Sequence, residues 1–367
     1  MKSSSWKDLL LQVEEQGVRV DEQLANRIEE ENSIKYVFLK VVAILGSLLA
    51  MGFFFGFLFL TIGDSLGYVS FLLFAVVLYA LSFIGNKKTE PALRDGVFVA
   101  TYISAFVCVI AAGIDFGWRE SNNLLCVIVL SFGGFMLFKS KIIQFLSIIG
   151  LYYGLVYYLG LLHLGYGGLL LFWLLLVGLY FLFDKEVELK TKYSFWSQRY
   201  NAILNALFLI FFFEIIQDNI SLIDPSNWIN RSRFFDYHVV GHRIYLGFAG
   251  IVLLALTYWT IKQIGQRVTL PQPMLITGIS SVVILGMAFL MHGFGMPLVI
   301  SFFLLVWSFQ FRFYKGIVLA ICTLLLSLGA YYYYLNVSLL IKSLILMGCG
   351  LFFLGLFVIY NRWNREK

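Results

Sequence analysis

The stretch IIQFLSIIGLYYGLVYYLGLLHLGYGGLLLFWLLLVGLYFLF, residues 142–183, contains no Asp, Glu, Lys or Arg. Lys139 and Lys141 stand just before it, Asp184 and Lys185 just after. A helix needs about 20 predominantly apolar residues to cross the hydrocarbon core of a bilayer. The stretch is too long for one crossing and reads as two, at about 142–162 and 168–183, with both flanking lysine groups on the same side of the membrane. Lipid cannot satisfy backbone N–H and C=O groups, so crossings of this kind are helical.

The rest of the chain extends the pattern. Of its 367 residues, 60% are hydrophobic and 13% charged, and the mean hydropathy is +0.85. Soluble domains carry about 25% charged residues. Aromatics make up 18%, and Tyr and Trp suit the interfacial belts of a membrane protein. The net charge of +6 does not indicate a nucleic-acid partner, because the basic residues are scattered in short loops and form no run. Cys108, Cys126, Cys322 and Cys349 all lie in apolar stretches without a CxxC pair, which points to buried small hydrophobes, not to a disulfide framework or zinc knuckle.

Twelve spans are expected, at about 37–62, 68–84, 97–115, 124–138, 142–162, 168–183, 201–218, 244–261, 274–290, 297–311, 316–335 and 337–360. Lysine and arginine favour the cytoplasmic loops. On this count the cytoplasmic set is Lys2, Lys7, Arg19, Arg27, Lys35, Lys40, Lys87, Lys88, Arg94, Lys139, Lys141, Lys185, Lys190, Lys192, Arg199, Lys262, Arg267, Arg312, Lys315, Arg362, Arg365 and Lys367. Only Arg119, Arg231, Arg233 and Arg243 fall outside, and Lys342 lies within a span. Both termini are then cytoplasmic. The pairs Lys139/Lys141 and Arg312/Lys315 require the fourth and tenth spans, the two weakest. One outer loop, about 219–243, is long.

Residues 1–36 are polar and read as a cytoplasmic helical hairpin, with residues 37–367 as the transmembrane domain, dividing six plus six. Ser5 and Asp8 have capping-box spacing, and Gly17 stands where a first helix should end. Asp21 caps a second helix in which Leu24 and Ile28 share a face. The first apolar segment is too long for the h-region of a cleavable signal, so none is expected.

Charge inside a bilayer is expensive, about 2.5–3.5 kcal/mol at the centre on insertion scales, so such residues are functional candidates. Glu214 and Lys342 lie within spans at similar depth with opposite sign; they are candidates to pair, the alternative being that each snorkels to the outer interface. All four histidines, His163, His238, His242 and His292, map to the outer side, with Asp115 among the nearby acids. His238 and His242 have a metal-ligand spacing only if that stretch is helical; interfacial histidines at helix ends are the plainer reading. Gly46, Gly52 and Gly56 in the first span, and Gly150 and Gly154 in the fifth, include two GxxxG spacings that allow close helix approach. Gly133 and Gly134 in the fourth span, and Gly293 and Gly295 before the tenth, are candidates to line a cavity. A span of about 15 residues reaches only about 22 Å, and its ends are tolerated at membrane depth only when buried in protein or wet.

No Walker A loop, GxGxxG turn or HExxH occurs, so no cofactor or nucleotide site is called for; a membrane-embedded enzyme would need Asp, His or Glu clustered at one depth, for which the outer histidines and acids are the candidates. The motif Glu15-Gln16-Gly17-Val18 followed by Asp21-Glu22-Gln23, ahead of closely spaced apolar spans, resembles two bacterial membrane families described as domain of unknown function 2157 and domain of unknown function 4401. The resemblance implies a multi-pass protein of the bacterial inner membrane and supplies no activity. Two functions remain. One is a transporter or permease for a small or amphipathic molecule, favoured by the six-plus-six size and by short spans in corresponding places. The other is a non-catalytic scaffold or partner subunit of an envelope complex, favoured by low charge and GxxxG spacings.

Overall fold

The computed structural model describes the backbone of residues 34–62, 67–85, 91–223, 239–267 and 295–334, with isolated positions between 277 and 286 and between 340 and 347; side-chain description is narrower at several helix ends. Among the described residues there are eleven helices and no strand. They are α1 (Ile34–Ile62), α2 (Tyr68–Gly85), α3 (Pro91–Asp115), α4 (Glu120–Leu137), α5 (Lys141–Leu161), α6 (Gly165–Asp184), α7 (Glu186–Lys192), α8 (Ser194–Ile223), α9 (Val239–Arg267), α10 (Gly295–Gln310) and α11 (Tyr314–Tyr334). Ten of the twelve expected spans coincide with one of these helices. The ninth and twelfth, and the N-terminal hairpin, lie outside the continuously described residues.

Seven of the helices, α3, α4, α5, α6, α8, α9 and α11, are long and apolar enough to cross a membrane, and Val42–Phe57, Tyr68–Ile84 and Met296–Gln310 are shorter apolar helices. The expectation of a short fourth span is corrected. The helix begins at Glu120 and runs 18 residues, about 27 Å at 1.5 Å per residue. Hydropathy hid its first turn, because Glu120, Ser121, Asn122 and Asn123 are polar and helical. Among the described residues α4 buries Ser131 and Gly134. The tenth span remains short, at 16 residues in α10.

The helix ends follow local chemistry. Pro91 opens α3 at the one position where its missing N–H costs nothing. The seven-residue α7 carries Glu186 and Glu188 in its first turn and Lys190 and Lys192 in its last, each sign opposite to the adjacent pole of the helix dipole. Three helices end in the same left-handed cap. In α3 the residue at positive φ is Gly117 (φ 73°), with N–H bonds from Trp118 to Gly113 and from Gly117 to Ile114. His163 (φ 58°) closes α5 and Arg312 (φ 56°) closes α10 with the same pair of bonds. This is the Schellman arrangement, which usually takes glycine.

The chain divides into two compact units, residues 1–158 with 201–203, and residues 159–200 with 204–367. In the first, α1 crosses α3 where the Gly96 backbone meets that of Ala43; a Cβ on Gly96 would stand 2.8 Å from the Ala43 carbonyl oxygen. Phe138, fully buried, closes the lower core against Tyr79, Phe83 and Tyr102 at ring distances of 5.4, 5.7 and 5.6 Å. The second unit is built around Trp307, also fully buried, which lies 5.5 Å from the Tyr180 ring, itself stacked on Trp259 at 5.7 Å. Large apolar side chains such as Leu45, Leu49, Phe53, Val129 and Leu325 are exposed, as expected where the solvent is hydrocarbon.

Candidate functional site

The polar groups of the first unit gather in one seam between α2, α3, α4 and α5. Small residues create it. Gly150 on α5 faces Ser131 on α4, so that a Cβ there would lie 2.6 Å from Ser131 Oγ, and Gly154 faces Ile128 at 3.0 Å. This second GxxxG is therefore a packing device, as its spacing suggested. For the first, nothing among the described residues lies within 4 Å of a Cβ on Gly46, Gly52 or Gly56. The difference is in the partner helix, which no spacing within α1 can specify.

Where α4 and α5 approach, two tyrosines reach in. Tyr79 on α2 donates to the Leu130 carbonyl at 3.1 Å. Tyr102 on α3 lies 2.8 Å from Ser147 Oγ on α5. Ser147 donates back to the Ile143 carbonyl at 2.6 Å, so the Tyr102 hydroxyl supplies the proton of the tyrosine–serine bond. Gln144 Nε2 donates to the Phe138 carbonyl at 2.8 Å and pins the short connection from α4 to α5. Two buried atoms of the seam, Ser131 Oγ and Gln144 Oε1, have no hydrogen-bond partner among the described residues.

Gly133 and Gly134 sit in this seam. The Tyr79 hydroxyl lies where a Gly133 Cβ would be contacted at 2.9 Å; Gly134 is held against the Tyr102 hydroxyl and, at 2.5 Å, Ser147 Oγ. An apolar groove of about 340 Å³ runs beside them. Its walls are Leu72, Ala75, Val76, Tyr79, Ala80 and Phe83 of α2, with Val109 of α3 and Leu130 and Leu137 of α4.

The second unit has its own polar ties. Trp307 Nε1 donates to Thr260 Oγ1 at 2.9 Å, and that hydroxyl donates to the Leu256 carbonyl. Gln310 donates to Gln263 at 2.7 Å, and Gln263 donates to Asp184, so the ends of α6, α9 and α10 are joined. Asn219 on α8 donates to Ser327 on α11 at 2.9 Å.

Of the other candidate residues, Glu214 is half-buried on α8 and has an interaction partner. Lys342, His238, His292 and Gly293 lie outside the described residues, as do the surroundings of His242 and Gly295. His163 is exposed and its backbone serves as a helix cap. Asp115 is the exposed last residue of α3. Among the described residues no group of three or more His, Cys, Asp or Glu could hold a metal ion. The sequence reading missed Tyr79, Tyr102, Ser131, Gln144 and Ser147. Gln144 and Ser147 carried a legible signal, since polar residues one turn apart in an apolar span must find partners.

The family described as Domain of unknown function (DUF4401) matches residues 37–363. It is one of the two families suggested by the N-terminal motif, although the match begins after that motif. No curated protein matches the chain, and no solved structure does.

Proposed function

Since the chain belongs to the family described as domain of unknown function DUF4401, we propose that it is a non-catalytic multi-pass component of the bacterial inner membrane, working through assembly with an envelope partner. Its ends are cytoplasmic, as the charge bias favours. The observation that supports this over transport is how the interior polar groups are used. Ser147, Thr257, Thr260, Ser301 and Ser308 each donate to the carbonyl four residues earlier in their own helix. Such hydroxyls need no water. Thr101 and Thr323 donate to the carbonyl three residues earlier, and Tyr79, Tyr102, Asn219 and Trp307 tie one helix to another. A permeation route needs polar groups turned to a wet path, and these are turned into packing.

The test uses near-isosteric cysteines at Ser131, Ser147, Thr260, Ser301 and Ser308, each in a background with Cys108, Cys126, Cys322 and Cys349 replaced. A water-soluble thiol reagent is applied to native membranes. The packed reading expects all five positions to stay unlabelled, with labelling after denaturation as the control. Rapid labelling at two or more positions in one unit would reveal a wet path and return the assignment to a transporter for a small or amphipathic molecule.

A further inference from the structure

The groove of the first unit has features that the packed-component reading does not use. The α2 residues in its wall, Leu72, Ala75, Val76, Tyr79, Ala80 and Phe83, follow the spacing of one helix face over three turns. From Leu72 to Phe83 that face is about 16 Å long at 1.5 Å per residue. The groove is thus apolar and runs along the helix axis, which is roughly the direction of lipid chains in a bilayer. It is open sideways, since Val76 is 67% and Leu137 56% exposed. Its two ends differ in charge. At the Leu72 end the α3–α4 connection brings one cation, Arg119, accompanied in sequence by the acids Asp115 and Glu120. At the other end Leu137 leads directly into Lys139 and Lys141, both exposed and without an acidic partner among the described residues. Phe138 packs on Phe83 and Tyr79 there, so the two lysines, two and four residues beyond Leu137, belong to the Phe83 end of the groove, on the side that the charge bias makes cytoplasmic.

We propose that this groove is a specific site for one anionic glycerophospholipid, with an acyl chain along α2 and the phosphate headgroup at Lys139 and Lys141. Charge complementarity at one mouth selects the anionic headgroup over a zwitterionic one, because basic residues at the cytoplasmic surface attract anionic lipid. The site requires only that the chain reside in a membrane, so it stands or falls separately from the assembly role.

The experiment is native mass spectrometry of the delipidated full-length protein in mild detergent, titrated with phosphatidylglycerol or phosphatidylcholine of identical acyl chains. Wild type should take up one phosphatidylglycerol ahead of the rest, with a preference over phosphatidylcholine of roughly five-fold for each lysine. Lys139→Gln with Lys141→Gln should abolish the preference while leaving phosphatidylcholine uptake unchanged. Ala80→Phe fills the groove from an exposed position and should weaken first-lipid binding by about ten-fold for both lipids, the order of one buried side chain's apolar contact. Val76→Phe serves the same purpose should Ala80→Phe fail to give a monodisperse protein. Equal affinity of wild type for the two lipids would overturn the site. So would a headgroup preference that survives loss of both lysines, or unchanged binding in the groove-filling variants.

Discussion

Replacing Gly134 by alanine tests the polar seam directly. The new methyl group would meet Tyr102 Oη, Ser147 Oγ at 2.5 Å and Tyr102 Cζ at 2.9 Å. Neither neighbour can swing away freely. Tyr102 is 2% exposed and Ser147 fully buried, and they are bonded to each other at 2.8 Å. Overpacking of a tight interior costs about 1–3 kcal/mol. Displacing the tyrosine–serine bond adds about 0.6 kcal/mol, and up to about 1.7 kcal/mol, for a hydrogen bond between helices in lipid. Set against the roughly 1 kcal/mol that helix propensity returns on replacing glycine by alanine, Gly134→Ala should cost about 1–3 kcal/mol. Gly52→Ala is the matched control, because among the described residues nothing lies within 4 Å of its Cβ. It should be neutral or stabilising by up to about 1 kcal/mol through helix propensity. Both are read by equilibrium unfolding of the purified protein in mixed micelles with increasing denaturing detergent. Tyr102→Phe and Ser147→Ala each remove one of the colliding oxygens. Each double variant with Gly134→Ala should therefore lose less than the sum of its singles, by more than the roughly 0.5 kcal/mol within which independent sites add. A Gly134→Ala cost equal to that of Gly52→Ala, or strictly additive doubles, would refute the seam as a packing lock.

The left-handed caps make a second test. His163→Gly and Arg312→Gly should each stabilise by about 1 kcal/mol, since αL geometry costs an L-residue about 1–2 kcal/mol; Gly117→Ala should destabilise by a similar amount in the same unfolding assay. Topology reporters fused after Lys141, Lys192 and Lys315 should report cytoplasm, and one near Asn227 the outside; a cytoplasmic signal at Asn227 would sink the twelve-span arrangement. If Glu214 and Lys342 pair, each single change to alanine should destabilise and the double should recover part of the loss, with a coupling of about 0.5–3 kcal/mol. Additive effects would remove that pair from consideration.

Much of the helical layout was legible in the sequence. The apolar runs place α5 and α6 to within a few residues, because a lipid environment demands a continuous helix and hydropathy is a local property. The exception, α4, shows the limit of that logic. Its first turn is polar, so a hydropathy reading trimmed it and made the span shorter than the 18-residue helix. The seam was legible only in outline. Gly150 and Gly154 announced close packing, while Gly133 and Gly134 were read as lining a cavity, and nothing local indicated that the groups filling the space would be Tyr79, Tyr102, Ser131 and Ser147.

By itself, then, the sequence determined a helical chain that belongs in a membrane, most of its spans, and a bias for which loops face the cytoplasm. These follow from length, apolarity and the placement of Lys and Arg, which need no knowledge of neighbours. The tertiary structure alone decided which face of each helix turns inward and which polar atoms meet. The physical reason is that a soluble helix betrays its buried side by an apolar stripe, whereas these helices are apolar all round and hydrocarbon is as good a neighbour as leucine. In α5, Gly150 and Ser147 meet Ser131 and Tyr102, while in α1 the same GxxxG spacing meets nothing among the described residues. Close packing and a few hydrogen bonds choose between such faces, and both depend on residues far away in the chain.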